Sequence, residues 1–236
     1  MRERVLTVTN PETIERVREL RQRGRTPKEI ARALGLPPAA VAPLIRAVAA
    51  AQPAREAALV GCWVNQGWAV GLTVADHRDW PGVGAAADSG ESGLVTILVA
   101  RDAGSRVSAC GYLVDAWCLG VKNAFGPKSV DRRKLPGFRD WYFRSYAQPP
   151  LAAPIDLARQ LVFGAVDYAR ELGFEPHPDF AGCVSHLGPW DGSDITFGRE
   201  GKPTYIEGPY DDTAGIIRTL RRSVGDDNFH YLCQLA

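Results

Sequence analysis

The sequence lacks a membrane span, a disulfide framework and the familiar nucleotide loops. No apolar run reaches the roughly 18 residues that a membrane-crossing helix needs. The opening stretch, MRERVLTVTN, has no apolar core of the secretory type, so a cytoplasmic location is expected. Five cysteines are present, Cys62, Cys110, Cys118, Cys183 and Cys233, and none forms a Cys-x-x-Cys pair. An odd number without such pairs argues against both disulfide staples and a zinc knuckle. Most should be small buried hydrophobes. Gly-x-Ser-x-Gly, Gly-x-Gly-x-x-Gly and Walker patterns are absent, which disfavours a hydrolase elbow and nucleotide-cofactor folds. No cofactor is expected, and there is no internal repeat or low-complexity tract.

What is present suits a globular protein. Of 236 residues, 45% are apolar and 23% charged, enough for a large domain or a small one joined to a medium one. The net charge of +1 conceals an asymmetry. Residues 1–57 carry 11 basic side chains against 6 acidic ones, and the remainder is mildly acidic. A basic module on an acidic body fits attachment to nucleic acid, and solvated surface arginines give the same sum.

Three helix starts fall in the basic part. Asn10-Pro11 with Glu12 supplies a cap, a first-turn proline and an acid near the positive helix end. Thr26-Pro27-Lys28-Glu29 is a capping box, and Ile30, Ala31 and Leu34 make the stripe behind it. Pro38 opens a third helix with Val41, Leu44, Ile45 and Val48. The run from Gly24 to Ala31, with Leu34-Gly35-Leu36 and Val41, resembles the helix-turn-helix of bacterial regulators, sigma-like factors and site-specific recombinases. The resemblance covers about residues 11–50. It implies three short helices, with the last in the major groove. In that helix Ala39, Ala40 and Ala42 stand where base-reading side chains belong, and Pro43 removes a helical hydrogen bond. Contact would then run mainly through phosphates, with Arg25, Lys28 and Arg46 as candidates. A protein-docking adaptor whose helix-turn-helix no longer meets DNA is the other outcome.

A linker through Pro53 leads to a second domain over 58–236. Leu59–Trp63 and Trp68–Ala75 read as a hairpin, Leu94–Arg101 as a clear strand, and Val107–Trp117 as a buried central strand. Gly126–Pro150 reads as a long connection in which Lys128, Arg132, Arg133 and Lys134 alternate with Phe138, Trp141 and Tyr142. Basic residues among aromatics suit single-stranded nucleic acid, and they equally suit a loop pinned by its own rings. A long helix is expected over Ile155–Leu172, a short one through His186, a hairpin over 195–207 and a last helix over about 213–223. The fold class is therefore α+β: an N-terminal three-helix helix-turn-helix, then a mostly antiparallel sheet with one long helix and a terminal helix.

Four polar groups could carry chemistry. Asp115 interrupts an apolar strand and needs a partner, with Lys122 and Arg101 in competition. Glu207, Asp211 and Asp212, with Asp115 as a fourth carboxylate, could clamp a phosphodiester through Mg²⁺, although a helix cap accounts for at least one of them. His177, Asp179 and His186 are candidate metal ligands, and also fit a turn and a cap. Cys118 near Lys122 is a candidate low-pKa thiol whose apolar flanks argue for burial. The reading that follows is a non-enzymatic nucleic-acid-associated or regulatory protein, its second domain docking, sensing or dimerising. Its partners would be nucleic acid, another protein or a second copy, and not a membrane. A metal-dependent phosphodiesterase is the alternative.

Overall fold

A computed structural model describes residues 11–22, 27–37, 40–41, 43–44, 57–75, 79–84, 93–190 and 192–232. They fall into two compact units, Met1–Ala57 and Ala58–Ala236. In the first, α1 spans Pro11–Gln22 and α2 spans Pro27–Leu34. Val17 and Leu20 of α1 share an apolar cluster with Ile30 and Ala31 of α2, and Val41 and Leu44 join it. The expected three-helix helix-turn-helix is not what these residues form. Beyond α1 and α2, only Ala40, Val41, Pro43 and Leu44 have helical backbone among the described residues. Gly35 closes α2 with φ +63°, a left-handed backbone that ends a helix, and Pro38, Ala39, Ala42, Ile45 and Val48 of the expected third helix lie outside the described residues. Arg25, Arg46 and the linker through Pro53 lie outside the described residues.

The second unit is α+β. Its strands and helices run β1 Leu59–Val64, β2 Thr73–Val74, β3 Leu94–Ala103, β4 Arg106–Asp115, β5 Gly120–Asp131, α3 Leu135–Tyr142, β6 Leu151–Ala152 and α4 Ile155–Glu171. They continue with α5 Val184–Leu187, β7 Ile195–Thr196, β8 Thr204–Ile206, α6 Thr213–Val224 and β9 His230–Leu232. Five strands make one antiparallel sheet in the order β5-β4-β3-β1-β6.

Both faces of that sheet are covered, which is why β3 reads as an unbroken apolar run rather than an alternating one. Val95, Ile97, Val99, Tyr112 and Val114 face Leu157, Leu161, Val162 and Ala165 of α4. On the opposite face Leu98, Ala100, Val107 and Ala109 meet Leu135 and Phe143 at the two ends of α3.

The expected central strand stops at Asp115, not Trp117. Residues 116–119 turn the chain, and Gly120 pairs back with Asp115. Gly120 has φ +68°, and a Cβ there would lie 2.9 Å from the Ala165 carbonyl oxygen of α4, so the turn needs glycine.

The supposed connection from Gly126 is structured. Residues 126–131 are the second half of β5, and a 3-10 turn over Arg132–Lys134 leads into α3. Pro127 is tolerated because β5 is an edge strand and its ladder shifts register opposite this point. Trp68–Ala75 forms no hairpin with β1; only β2 is extended there, and it pairs with β7. The hairpin over 195–207 reduces to one bridge, Arg199 with Lys202. Pro203 has no amide to donate, and its carbonyl accepts from His230 N at 2.8 Å beside the parallel β8–β9 pair.

Candidate nucleic-acid interface

A strongly charged concavity of the second unit lies where β4 and β5 meet the 3-10 turn and α3. Its volume is about 670 Å³. Arg106, Lys128, Arg133 and Lys134 line it against a single carboxylate, Asp131. That carboxylate is already used, accepting the Arg133 amide at 2.8 Å to cap the turn. Arg106 lies along the groove wall because Ser129 holds it, through Oγ at 2.6 Å and the carbonyl at 3.1 Å. Lys128 stands over the Phe138 ring, 5.3 Å from its centroid. Arg133 and Lys134 are exposed, and among the described residues neither has a hydrogen-bond or ion-pair partner for its side chain. Unneutralised guanidinium and ammonium groups along one wall are what phosphate binding requires.

Aromatic rings make the other wall. Leu135, Phe138 and Tyr142 follow helical spacing and turn toward the sheet. Trp141, one position off that stripe, is 52% exposed. It stacks on Phe138 at 5.7 Å between centroids and carries the Arg144 guanidinium 4.7 Å from its own. The rings settle close to the sheet because position 111 is glycine. A Cβ at Gly111 would collide with Phe125 and come within 2.7 Å of Tyr142.

Arg132, also a sequence candidate, does not belong to this wall. It pairs with Asp102 at 2.6 Å and donates to the Gly104 carbonyl at 3.2 Å, tying the 3-10 turn to the β3–β4 hairpin. Lys28, the described candidate of the first unit, is an exposed residue of α2.

The carboxylates do not gather as a fourfold clamp. Asp115 is buried beneath its own turn, and one of its oxygens accepts the amides of Trp117 and Cys118, each at 3.0 Å. Burial pushes its pKa up to about 6, while those amides and the Lys122 charge pull the other way. The expected Asp115–Lys122 pair is replaced. Lys122 donates to Asp211, and Arg101 donates to carbonyls of His186 and Leu187. Glu207 and Asp211 do converge, joined through Tyr205 and Thr213. Thr213 Oγ1 donates to Glu207 at 2.8 Å, and the Tyr205 hydroxyl lies 3.1 Å from Thr213 and 3.3 Å from Asp211. Asp212 caps α6 through the Gly215 amide. Each carboxylate thus has a local structural task. The Cys118 thiol is pushed up by burial, with Asp115 adding to the effect and Lys122 opposing it, so it is no activated nucleophile.

His177 and Asp179 form a turn, with the Asp179 amide donating to His177 Nδ1 at 3.3 Å. His186 points elsewhere, its Nε2 lying 3.0 Å from the Ser108 carbonyl oxygen. Among the described residues no three His, Cys, Asp or Glu side chains come together as metal ligands.

Sequence reasoning missed Arg106 and Ser129. They enter the groove from β4 and from its ladder partner on β5, 23 residues apart, with no local motif to announce them. Comparison with family models, with curated proteins and with solved structures finds no match for the chain.

Proposed function

We propose that this is a non-enzymatic, cytoplasmic, nucleic-acid-associated protein that holds its ligand through phosphates in the groove between β5 and α3. The observation that carries the reading is four cations facing one already-capped carboxylate. Phosphate oxygens are the ligand class that rewards both the arginine forks and the lysine charges. Several other observations support it. Of the carboxylates of the alternative, enzymatic reading, Asp212 caps a helix, Asp211 holds a lysine, Glu207 accepts a hydroxyl and Asp115 accepts the amides of its own turn. The four described cysteines are free and buried, which suits a reducing compartment. No helix among the described residues is long and apolar enough to cross a membrane.

The test is a binding titration of the full chain against an oligonucleotide at several salt concentrations. Counterion release gives log Kd a slope of roughly 0.7 per phosphate contact on a single strand, so four contacts predict a slope near ~3. Affinity that does not change between about 50 and 200 mM salt would end the reading, because phosphate contacts cannot escape screening in that range.

A further inference from the structure

The basic groove does not end at Trp141. A cavity of about 490 Å³ follows, sharing Lys128, Phe138 and Trp141 with the basic end. A third, of about 240 Å³, shares Phe125 and Tyr142 with the second. The three cavities follow one another along β5, each adjoining the next through these shared side chains. The far end of the row is floored by Thr96 and Gly111 on the sheet and walled by Leu113, Asn123 and Phe125. That end has no ionisable cation or carboxylate in its lining. Its polar groups differ in their commitments. The Thr96 hydroxyl bonds Tyr146 at 2.7 Å, and the Tyr142 hydroxyl donates to the Tyr112 carbonyl at 3.4 Å. The Asn123 side-chain amide is exposed and has no partner among the described residues.

The chemistry is therefore segregated. Cations stand at one end, stacked rings in the middle, and a small neutral pocket with a free amide at the other. Asn123 and Ser129 are six strand residues apart, about 20 Å at roughly 3.3 Å per residue. A mononucleotide does not span that distance, whereas a short strand does. The pocket at the neutral end is smaller than the roughly 300–1,000 Å³ of drug-sized sites. It suits one flat polar ring rather than a large ligand. A duplex cannot use such a row of cavities, since its bases are already paired and stacked and only its phosphates are available.

Resting on the nucleic-acid reading above, we infer that the ligand is single-stranded: phosphates lie against Arg106, Lys128, Arg133 and Lys134, a base stacks at Trp141, and one unpaired base enters the pocket beside Asn123. Stacking is sequence-tolerant because every base has a π face. The Asn123 amide offers one donor group and one acceptor, so it adds a preference among bases at one position only. The Arg144 guanidinium on Trp141 either joins the stack or yields its place and turns to a phosphate.

The experiment uses the full chain with fluorescently labelled oligonucleotides at fixed salt: a mixed-sequence single strand, its duplex, and the same strand with abasic sites. The single strand should bind at least tenfold more tightly than the duplex. Trp141→Ala should weaken single-strand binding by about five- to hundredfold, the usual worth of one stacked base, while leaving duplex binding unchanged. Trp141→Phe should restore most of the loss. Asn123→Ala should alter the ranking of homopolymers without altering affinity for the abasic strand. Circular dichroism melts establish that each variant is folded. Equal, salt-sensitive binding of single strand, duplex and abasic strand, indifferent to Trp141, overturns this inference and leaves the phosphate reading standing. Absence of binding to any of the three overturns both.

Discussion

Lys122 and Asp211 are 89 residues apart in the chain, and the Lys122 ammonium lies 2.8 and 3.0 Å from the two oxygens of the Asp211 carboxylate. This contact ties β5 to the loop before α6. The side chains are 22% and 13% exposed, so the pair is largely withdrawn from solvent. Gly208 N adds a bond to the same carboxylate at 2.9 Å.

Breaking that pair should cost stability. Lys122→Met leaves Asp211 with the Gly208 amide and the Tyr205 hydroxyl but no counter-charge. The expected loss is about 2 kcal/mol, below the ~3–5 kcal/mol of a fully buried pair because some solvent reaches both groups. Equilibrium urea unfolding of the wild type and the variant measures it. An unchanged midpoint would mean that the pair contributes nothing net.

Asp211 and Asp115 should respond to acid with opposite signs. Burial acts to raise the Asp211 pKa, but Lys122, the Gly208 amide and the Tyr205 hydroxyl outweigh it and hold the carboxyl below its ordinary value. Its stabilisation is present above the unfolded pKa of about 3.9 and is lost as pH falls through the lower, folded value. Asp115 is raised to about 6, so the folded state keeps its proton where the unfolded state has released it. Between about pH 4 and 6 stability therefore falls as pH rises, by on the order of 2 kcal/mol from this group. Asp115→Asn keeps an oxygen for the two amides without the charge. It should flatten the slope between pH 4 and 6 and leave the protein as stable as wild type, or more so, at pH 8. Asp211→Asn should flatten the slope below pH 4. Urea midpoints measured across pH 2–8 read both effects.

Gly120→Ala should be among the more damaging conservative changes. The residue needs a left-handed backbone, and the added methyl meets the Ala169 Cβ at 2.8 Å and the Ala165 carbonyl oxygen at 2.9 Å. Strain and overpacking together predict a loss of about 2–4 kcal/mol. A thermal melt tests it, with Gly104→Ala as the comparison, because Gly104 shares the positive φ but has open space around it.

Three consecutive cations should behave differently. Arg132→Ala breaks a half-exposed surface pair with Asp102, so it should change stability by no more than about 1 kcal/mol and leave oligonucleotide affinity intact. Arg133→Ala and Lys134→Ala should leave stability unchanged, weaken binding, and each lower the salt slope by about 0.7 on a single strand. Equal effects of all three on binding would place the groove elsewhere.

Local signals in the sequence determined a good part of this protein. The helix over Ile155–Glu171 is legible because its apolar residues recur at helical spacing behind Pro154. The strand at Leu94–Ala103 is legible because both faces are buried, so its composition needs no alternation. Asp212 as a cap and Asp115 as a buried carboxylate follow from rules acting within a few residues. What only the tertiary structure decided are the partners. Asp115 satisfied itself with amides two and three residues on, which released Lys122 for Asp211. Adjacent Arg132 and Arg133 parted because Arg132 pairs with Asp102, whereas the Arg133 side chain has no ion-pair partner among the described residues. Residues 126–131 looked like a loop because their glycine, proline and charge are loop-like, yet the β4 ladder made them a strand. The groove is likewise assembled from β4, β5 and α3, held together by backbone pairing and ring packing across long separations. Spacing along the chain carries information over one or two turns of helix. The choice among partners tens of residues away is made by burial and ladder register, which exist only once the sheet has formed.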